Sequence, residues 1–470
     1  MNLFNNFSKH KNNTALINEN NEIINYKSLD SLIENFTINI KKRCLVFLIC
    51  NNSLEAIIGY LGFIKANCVT TLIDEKTDEK FLLNIISKYT PNYIFISNSK
   101  KILLEGYSTE YVFYNYSLLK RTKEIKIKLY DDLMLLISTS GSTGSTKFVR
   151  QSYSNLKSNT KSISKYLKIS EVDNAITTLP MSYVYGLSVI NTHLKNGGSI
   201  TLNNSSLIQK NFWEKMHKNK VTNFAGVPYT YEIIEKLDLK KFDLKYLKYT
   251  TQAGGKLSIK TTKNIINKYK KSDIKLIIMY GASEATARMT YLPWNDVETN
   301  LGSIGKPIPG GSLWLEDEFG KKINSKNTNG EIVYKGKNVS LGYAANIQDL
   351  NKGNNNNSIL RTGDIGYKSK SGYYYLVGRK DRFIKIHGLR VNLSEVEEII
   401  SNIKIKSMCL KGNSNKILIY IKEANKIVIL KKLLSQTLSL HPSSFIIEII
   451  KDFPLNKNYK ISYNKLEINK

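Results

Sequence analysis

Apolar residues in this chain gather in short runs set apart by stretches of helical length. Between residues 44 and 281 the β-rich runs are 44–49, 93–97, 133–140, 175–179, 199–202 and 276–280, with amphipathic segments between them. That alternation predicts parallel sheets wrapped by helices. The greasiest stretch, 44–64, is interrupted by Asn51, Asn52 and Glu55, so it reads as a buried strand and then a helix, not a membrane span. Glycine then changes in density: three occur before residue 141 and fifteen from Gly281 to Gly388, the turn chemistry of a smaller β-rich subdomain over roughly 301–380. After Val391 a helix capped by Asn392, strands near 407–422, a helix near 425–436 and a strand near 444–450 predict a separate α+β unit of about 85 residues. The fold class expected is therefore α/β: a large N-terminal body of helix-wrapped β-sheets with a small β-rich subdomain, then a small α+β C-terminal domain. The run 351–357, rich in asparagine, reads as a flexible surface loop.

Composition adds constraints. The chain has 470 residues, 41% of them hydrophobic and 23% charged, enough for a large core divided among roughly two to four domains. Its formal charge of +30 points at first to a polyanionic partner. However, eight of the 69 basic residues are arginine, and lysine is spread among asparagine and isoleucine over the whole length, so the charge reads as compositional drift. No basic run is interleaved with aromatics in a nucleic-acid module, and nucleic acid is not an expected partner. The N-terminus lacks a charged segment followed by a long apolar run, which argues against a secretory signal and for the cytoplasm. Cys44, Cys50, Cys68 and Cys409 are isolated from one another and form no Cys-x-x-Cys pair, which fits buried reduced thiols. The five histidines form no pair at metal-ligand spacing, so any metal is expected to be a hard cation held by oxygen.

Local chemistry is sharpest where a buried strand runs into Ser138-Thr139-Ser140-Gly141-Ser142-Thr143-Gly144-Ser145-Thr146-Lys147. Small residues let backbone N–H groups close around phosphate oxygens, and hydroxyls add donors. The spacing excludes a Walker A loop, and a plain Ser/Thr-rich turn remains the competing reading. The segment Gly281-Ala282-Ser283-Glu284-Ala285 half-mimics a nucleophile elbow, but its last glycine is missing, and the serine hydrolase reading is rejected.

The loop from Thr139 to Lys147 resembles Thr-Ser-Gly-Thr-Thr-Gly-x-Pro-Lys-Gly of the adenylate-forming enzymes, which include acyl-CoA synthetases, luciferases and peptide-synthetase adenylation domains. Thr146 and Phe148 replace the proline and final glycine. Further matches follow in family order. Tyr280-Gly281-Ala282-Ser283-Glu284 looks like Tyr-Gly-x-Thr-Glu, and Thr362-Gly363-Asp364 like Thr-Gly-Asp. Gly378-Arg379-Lys380-Asp381 through Val391 fits the family's Gly-Arg-x-Asp-x-x-Ile-Lys-x-x-Gly-x-Arg-Val at every fixed position. Pro454 to Lys460 resembles Pro-x-x-x-x-Gly-Lys, with Tyr459 in place of glycine.

The resemblance implies roles. Thr139, Ser140, Gly141, Ser142, Gly144, Lys147, Gly254, Gly255 and Tyr280 would surround ATP or AMP; Asp364 would accept from both ribose hydroxyls, and Arg379 would contact the ribose. Thr143 and Glu284 would hold Mg²⁺ and Lys460 would bridge the attacking carboxylate and the nucleotide, with Lys457 in reserve. Asp381 would be the hinge between residues 1–380 and a mobile lid, 382–470, whose Lys385 and Gly388 serve thiolation. Half of all arginines, Arg361, Arg379, Arg382 and Arg390, fall in thirty residues around that hinge, with Arg361 and Arg382 read as ordinary surface charge.

On the acyl side Tyr183, Tyr185, Tyr229 and Gln252 look like pocket walls for a small to medium, partly polar carboxylic acid. No acidic residue lies between Asn174 and Trp213 to pair with an α-ammonium group, which disfavours a free α-amino acid. The implied activity is ATP-dependent formation of acyl-AMP with release of pyrophosphate, then transfer to a thiol, with CoA foremost. Lys460 stands ten residues from the last one given, which suggests a free-standing ligase. Two alternatives stay open: loading of a carrier protein's phosphopantetheine or acylation of an amine, and a non-catalytic nucleotide- or acyl-binding protein.

Overall fold

The computed structural model describes residues 4, 7–100, 102–123, 125–138, 147–386, 389–412, 416–438, 440–454 and 463, with backbone alone for Phe383, Lys385, Leu389 and Arg390. These fall into two compact units, Met1–Ser312 with Lys335–Leu360, and Leu313–Tyr334 with Arg361–Lys470. The α/β class expected from the patterning is what folds.

The first unit carries two helix-wrapped sheets. In the eight-stranded one the centre is parallel: Leu133–Ser138, Val69–Asp74, Leu45–Cys50 and Tyr93–Ser97 lie side by side. Leu45–Cys50 is buried at every position, so its side chains are covered from both faces, which is why this strand reads as a continuous apolar run. Antiparallel pairs close the two edges: Phe148–Ser152 and Gly342–Ala344 at one, the hairpin Tyr107–Phe113 and Tyr116–Arg121 at the other. The second sheet is parallel through Lys275–Tyr280, Tyr249–Gln252, Asn223–Gly226, Asn174–Ile176, Ser199–Thr201 and Thr14–Ile17.

Cys44 and Cys68 are not isolated from each other as their spacing in sequence implies. They immediately precede the adjacent strands Leu45–Cys50 and Val69–Asp74, and their sulfurs stand 3.8 Å apart. All four cysteines are buried and free. Among the described residues no helix is long and apolar enough to cross a membrane.

In the second unit Ile359–Lys368 pairs antiparallel with Tyr374–Arg379. Beyond them come the hairpin of Phe383–Ile386 and Leu389–Asn392, helix Leu393–Asn402, and a three-stranded sheet of Ser407–Lys411, Ile417–Ile421 and Phe445–Ile449. Asn392 caps the helix, accepting from Ser394 N, and its amide reaches back to Val377 O at 2.9 Å. A side chain on Gly378 would meet that amide at 2.5 Å, so the glycine permits the close approach. Arg382, expected at the surface, lies inside. Its guanidinium pairs with the Glu397 carboxylate at 2.8 Å, donates to Cys409 O at 3.0 Å and sits over the Tyr463 ring. The partly buried Glu397 carboxylate, on helix Leu393–Asn402, is what draws it in.

His193 anchors helix Val184–Lys195, the helix that begins at Tyr183. It is 2% exposed, with Nδ1 2.9 Å from Val189 O and Nε2 3.0 Å from Asn223 Nδ2, an arrangement that suits the neutral ring. Burial holds its pKa below the ordinary 6.5. The unfolded chain therefore binds a proton that the folded one refuses, and stability falls as pH drops through the unfolded value of about 6.5. Urea midpoints measured between about pH 7.5 and about pH 5 should fall for the wild type and fall less for His193→Gln.

Candidate active site

The strand Lys275–Tyr280 leads into a tight turn. Ala285 N and Ala287 N both donate to Ala282 O, at 3.0 and 3.2 Å, and Met289 N returns to Tyr280 O at 2.9 Å. A Cβ on Gly281 would fall 1.7 Å from Ala287 O, so only glycine lets the chain fold back this closely. Buried side-chain amides then fix the turn from outside. Gln151 donates to Ser283 O at 2.9 Å, Asn338 to Ala285 O and Arg288 O at 2.8 and 2.9 Å, and Asn159 to Arg288 O at 2.9 Å. Ser340 N donates to Glu284 O at 2.8 Å.

Held in this way, Glu284 accepts a hydrogen bond from the Tyr343 hydroxyl at 2.7 Å, and the Lys147 ammonium stands 3.7 Å above the Tyr343 ring. The register explains the meeting. Tyr343 pairs with Val149 across the antiparallel edge, which makes Lys147 its diagonal neighbour on the same face. Arg150, with no exposed surface, pins this edge: its guanidinium donates to Tyr343 O, Leu341 O, Lys352 O, Gly353 O and Asn355 Oδ1. Ser138 and Phe148, which flank the hydroxyl-rich loop, are paired in the ladder, so that loop leaves and re-enters the sheet at one point. Its residues Thr139, Ser140, Gly141, Ser142, Thr143 and Gly144 lie outside the described residues, as do Gly388 and Lys460.

Other expected residues flank the same turn or stand apart from it. Gln252 is buried at the end of its strand and donates to Gly255 O at 2.9 Å across Gly254, whose φ of +84° suits glycine. The Tyr185 hydroxyl donates to Thr251 O at 2.7 Å, and the Tyr183 and Tyr185 rings meet edge to face. Burial raises the Tyr185 pKa to about 12. Tyr229, by contrast, is 40% exposed.

In the second unit Asp364 and Arg379 are cross-strand partners, and Arg379 Nε lies 3.6 Å from Asp364 and 3.4 Å from Asp381. Glu331 ties the first of these strands to the turn that follows the second, accepting from Gly363 N at 3.1 Å and pairing with Lys380 at 3.1 Å. Asp381 sits in the turn Lys380–Arg382 and is exposed; Lys385 lies in the strand that follows.

A family model described as AMP-binding enzyme matches residues 3–344. The chain belongs to that family. Oxalate--CoA ligase of Arabidopsis thaliana is 29% identical over 275 residues, 57% of this AMP-binding chain and 52% of the relative. D-alanine--D-alanyl carrier protein ligase of Staphylococcus epidermidis is 26% identical over 418 residues, 84% of this chain and 81% of the relative. The chain spans about half the length of the first curated relatives it matches. Among solved structures, O-succinylbenzoate Coenzyme A Synthetase (MenE) from Bacillus subtilis in complex with AMP shares the fold. Its TM-score is 0.79 at 18% identity, over 99% of this chain and 98% of that one.

Two residues of this region escaped the sequence reading, Tyr343 and Arg288. Neither stands in a recognisable motif; only the scarcity of arginine marked Arg288. Tyr343→Phe keeps the ring under Lys147 and removes the bond to Glu284. Calorimetry should show affinity for Mg·ATP falling about tenfold, with thermal melting within about 2 °C of wild type.

Proposed function

We propose that this AMP-binding enzyme is an acid–thiol ligase. A substrate carboxylate oxygen attacks the α-phosphorus of ATP, the bond to the bridging oxygen breaks, and acyl-AMP and pyrophosphate form. A thiol sulfur then attacks the acyl carbon and loses its proton, AMP leaves with its bonding electron pair, and a thioester remains. The observation that carries this reading is the convergence of Lys147 and Glu284, from motifs far apart in sequence, on one tyrosine, the first over its ring and the second at its hydroxyl.

Lys147 and the hydroxyls and amides of 139–144 would bind the phosphates, supplying donors where charge accumulates. Glu284 is a hard oxygen donor beside a phosphate-facing lysine, which suits magnesium; that ion takes one or two carboxylates plus substrate phosphates. Thr143 would be the second protein oxygen, and magnesium held there would neutralise phosphate charge. Asp364 accepts from the two ribose hydroxyls, with Arg379 holding its carboxylate and contacting the ribose. Lys460 brings positive charge to the attacking carboxylate. Tyr183, Tyr185, Tyr229 and Gln252 wall the acyl pocket. Asp381 is the hinge about which residues 382–470 rotate, so that Lys385 and Gly388 replace Lys460 at the site for thiolation.

CoA is the thiol in the principal reading. The carrier-protein alternative is favoured by the Staphylococcus epidermidis relative, which matches more of this chain than the CoA ligase does. Four buried free thiols fit a reducing compartment, hence the cytoplasm.

Exchange of labelled pyrophosphate into ATP, driven by a panel of acids, is expected for the wild type and lost for Lys460→Ala. AMP release with CoA, compared with that from a phosphopantetheinylated carrier, identifies the acceptor. An unchanged exchange rate in Lys460→Ala would refute the assignment of that lysine.

A further inference from the structure

Seven of the eight arginines have chemistry that explains them or lie outside side-chain description. Arg150 gives its donors to four carbonyls and an amide oxygen, Arg43 to three carbonyls, and Arg361, Arg379 and Arg382 to carboxylates. Arg121 lies over the Tyr107 ring in an edge hairpin, and the side chain of Arg390 is not described.

Arg288 is different. It is 2% exposed, yet among the described residues no carboxylate lies within ion-pair distance of it. Its Nε is 3.4 Å from the Met279 sulfur, a weak acceptor, and its Nη1 is 3.4 Å from the carbonyl of its own neighbour, Ala287. The guanidinium carbon lies 3.8 Å from the centre of the Tyr185 ring. Tyr166, whose hydroxyl also meets the Met279 sulfur, completes this surround. Burial raises the pKa of both phenols, so neither supplies a negative charge near neutral pH.

A buried cation without an anion is expensive, and a protein keeps one where a ligand completes it. The planar fork of guanidinium matches a carboxylate through two parallel hydrogen bonds. Position supplies the second half of the case. Arg288 follows Glu284 by one turn of the clamped loop and packs on Tyr185, one of the four residues assigned to the acyl pocket. Resting on that assignment, we propose that the acid activated by this enzyme is a dicarboxylate, with one carboxylate adenylated and the other held by Arg288. The guanidinium serves the far end of the substrate: bidentate bonding to the reacting carboxylate would withdraw electron density from the nucleophile.

The test compares acids that differ by a carboxylate in place of a terminal methyl, from malonate to adipate beside their monoacid counterparts. Pyrophosphate exchange and thermal melting are followed with the full chain and Mg·ATP. For the wild type, kcat/KM should favour a diacid over its partner by about a hundredfold or more, because the methyl leaves a buried cation unmatched. Arg288→Met should reverse that preference, with KM for the diacid carrying the loss and exchange with the monoacid retained or improved. The diacid should raise the melting temperature of the wild type and not of the variant. Wild-type preference for monoacids would overturn the inference and leave the ligase reading intact. Equal loss of both acids in a folded Arg288→Met would also overturn it, placing the guanidinium at the reacting end. Diacid-dependent stabilisation that Arg288→Met abolishes, without exchange for any acid, would uphold Arg288 as the carboxylate site and overturn the ligase reading.

Discussion

The constraint on which the first unit depends is the missing side chain at Gly281. Because the chain passes within 1.7 Å of where a Cβ would be, the strand Lys275–Tyr280 can reverse and re-enter the sheet as Thr290–Leu292 within a few residues. Everything chemical about this turn follows from its tightness. Its carbonyls cannot all be satisfied internally, so Gln151, Asn159 and Asn338 come in from three other parts of the chain to bond them. Those amides in turn fix where Glu284 and Arg288 emerge.

The second unit solves a similar problem with charge. Register pairs Asp364 with Arg379, and Asp381 lies within reach of the same guanidinium, so one arginine orients two carboxylates. Glu331 adds a cross-strand tie to Gly363 and Lys380. Exposed pairs of this kind add little stability, and their value lies in geometry.

The fold was legible where burial made composition one-sided. Tyr93–Ser97 is buried at all five positions and was bounded correctly from its apolar run alone. The neighbouring hairpin was missed because Tyr107–Phe113 is an edge strand exposed along most of its length, and its polar residues give no apolar run to read. Among site residues, those inside motifs were legible because several weak signals occurred in a fixed order. Tyr343 was not, since its role depends on strand register across nearly two hundred residues. Arg382 was misread for a related reason: the carboxylate that draws it inward, Glu397, lies on the following helix, and nothing in the intervening sequence announces the pair.

Gln151, Asn159, Thr286 and Asn338 clamp the 281–288 turn through uncharged amides and a hydroxyl, in a protein that carries a formal charge of +30. Dissolved ions screen exposed lysines and leave buried neutral bonds untouched. Capture and alignment are thus separated at this turn: electrolyte governs how readily an anion is drawn to the surface, while the uncharged clamps on the turn itself are indifferent to salt.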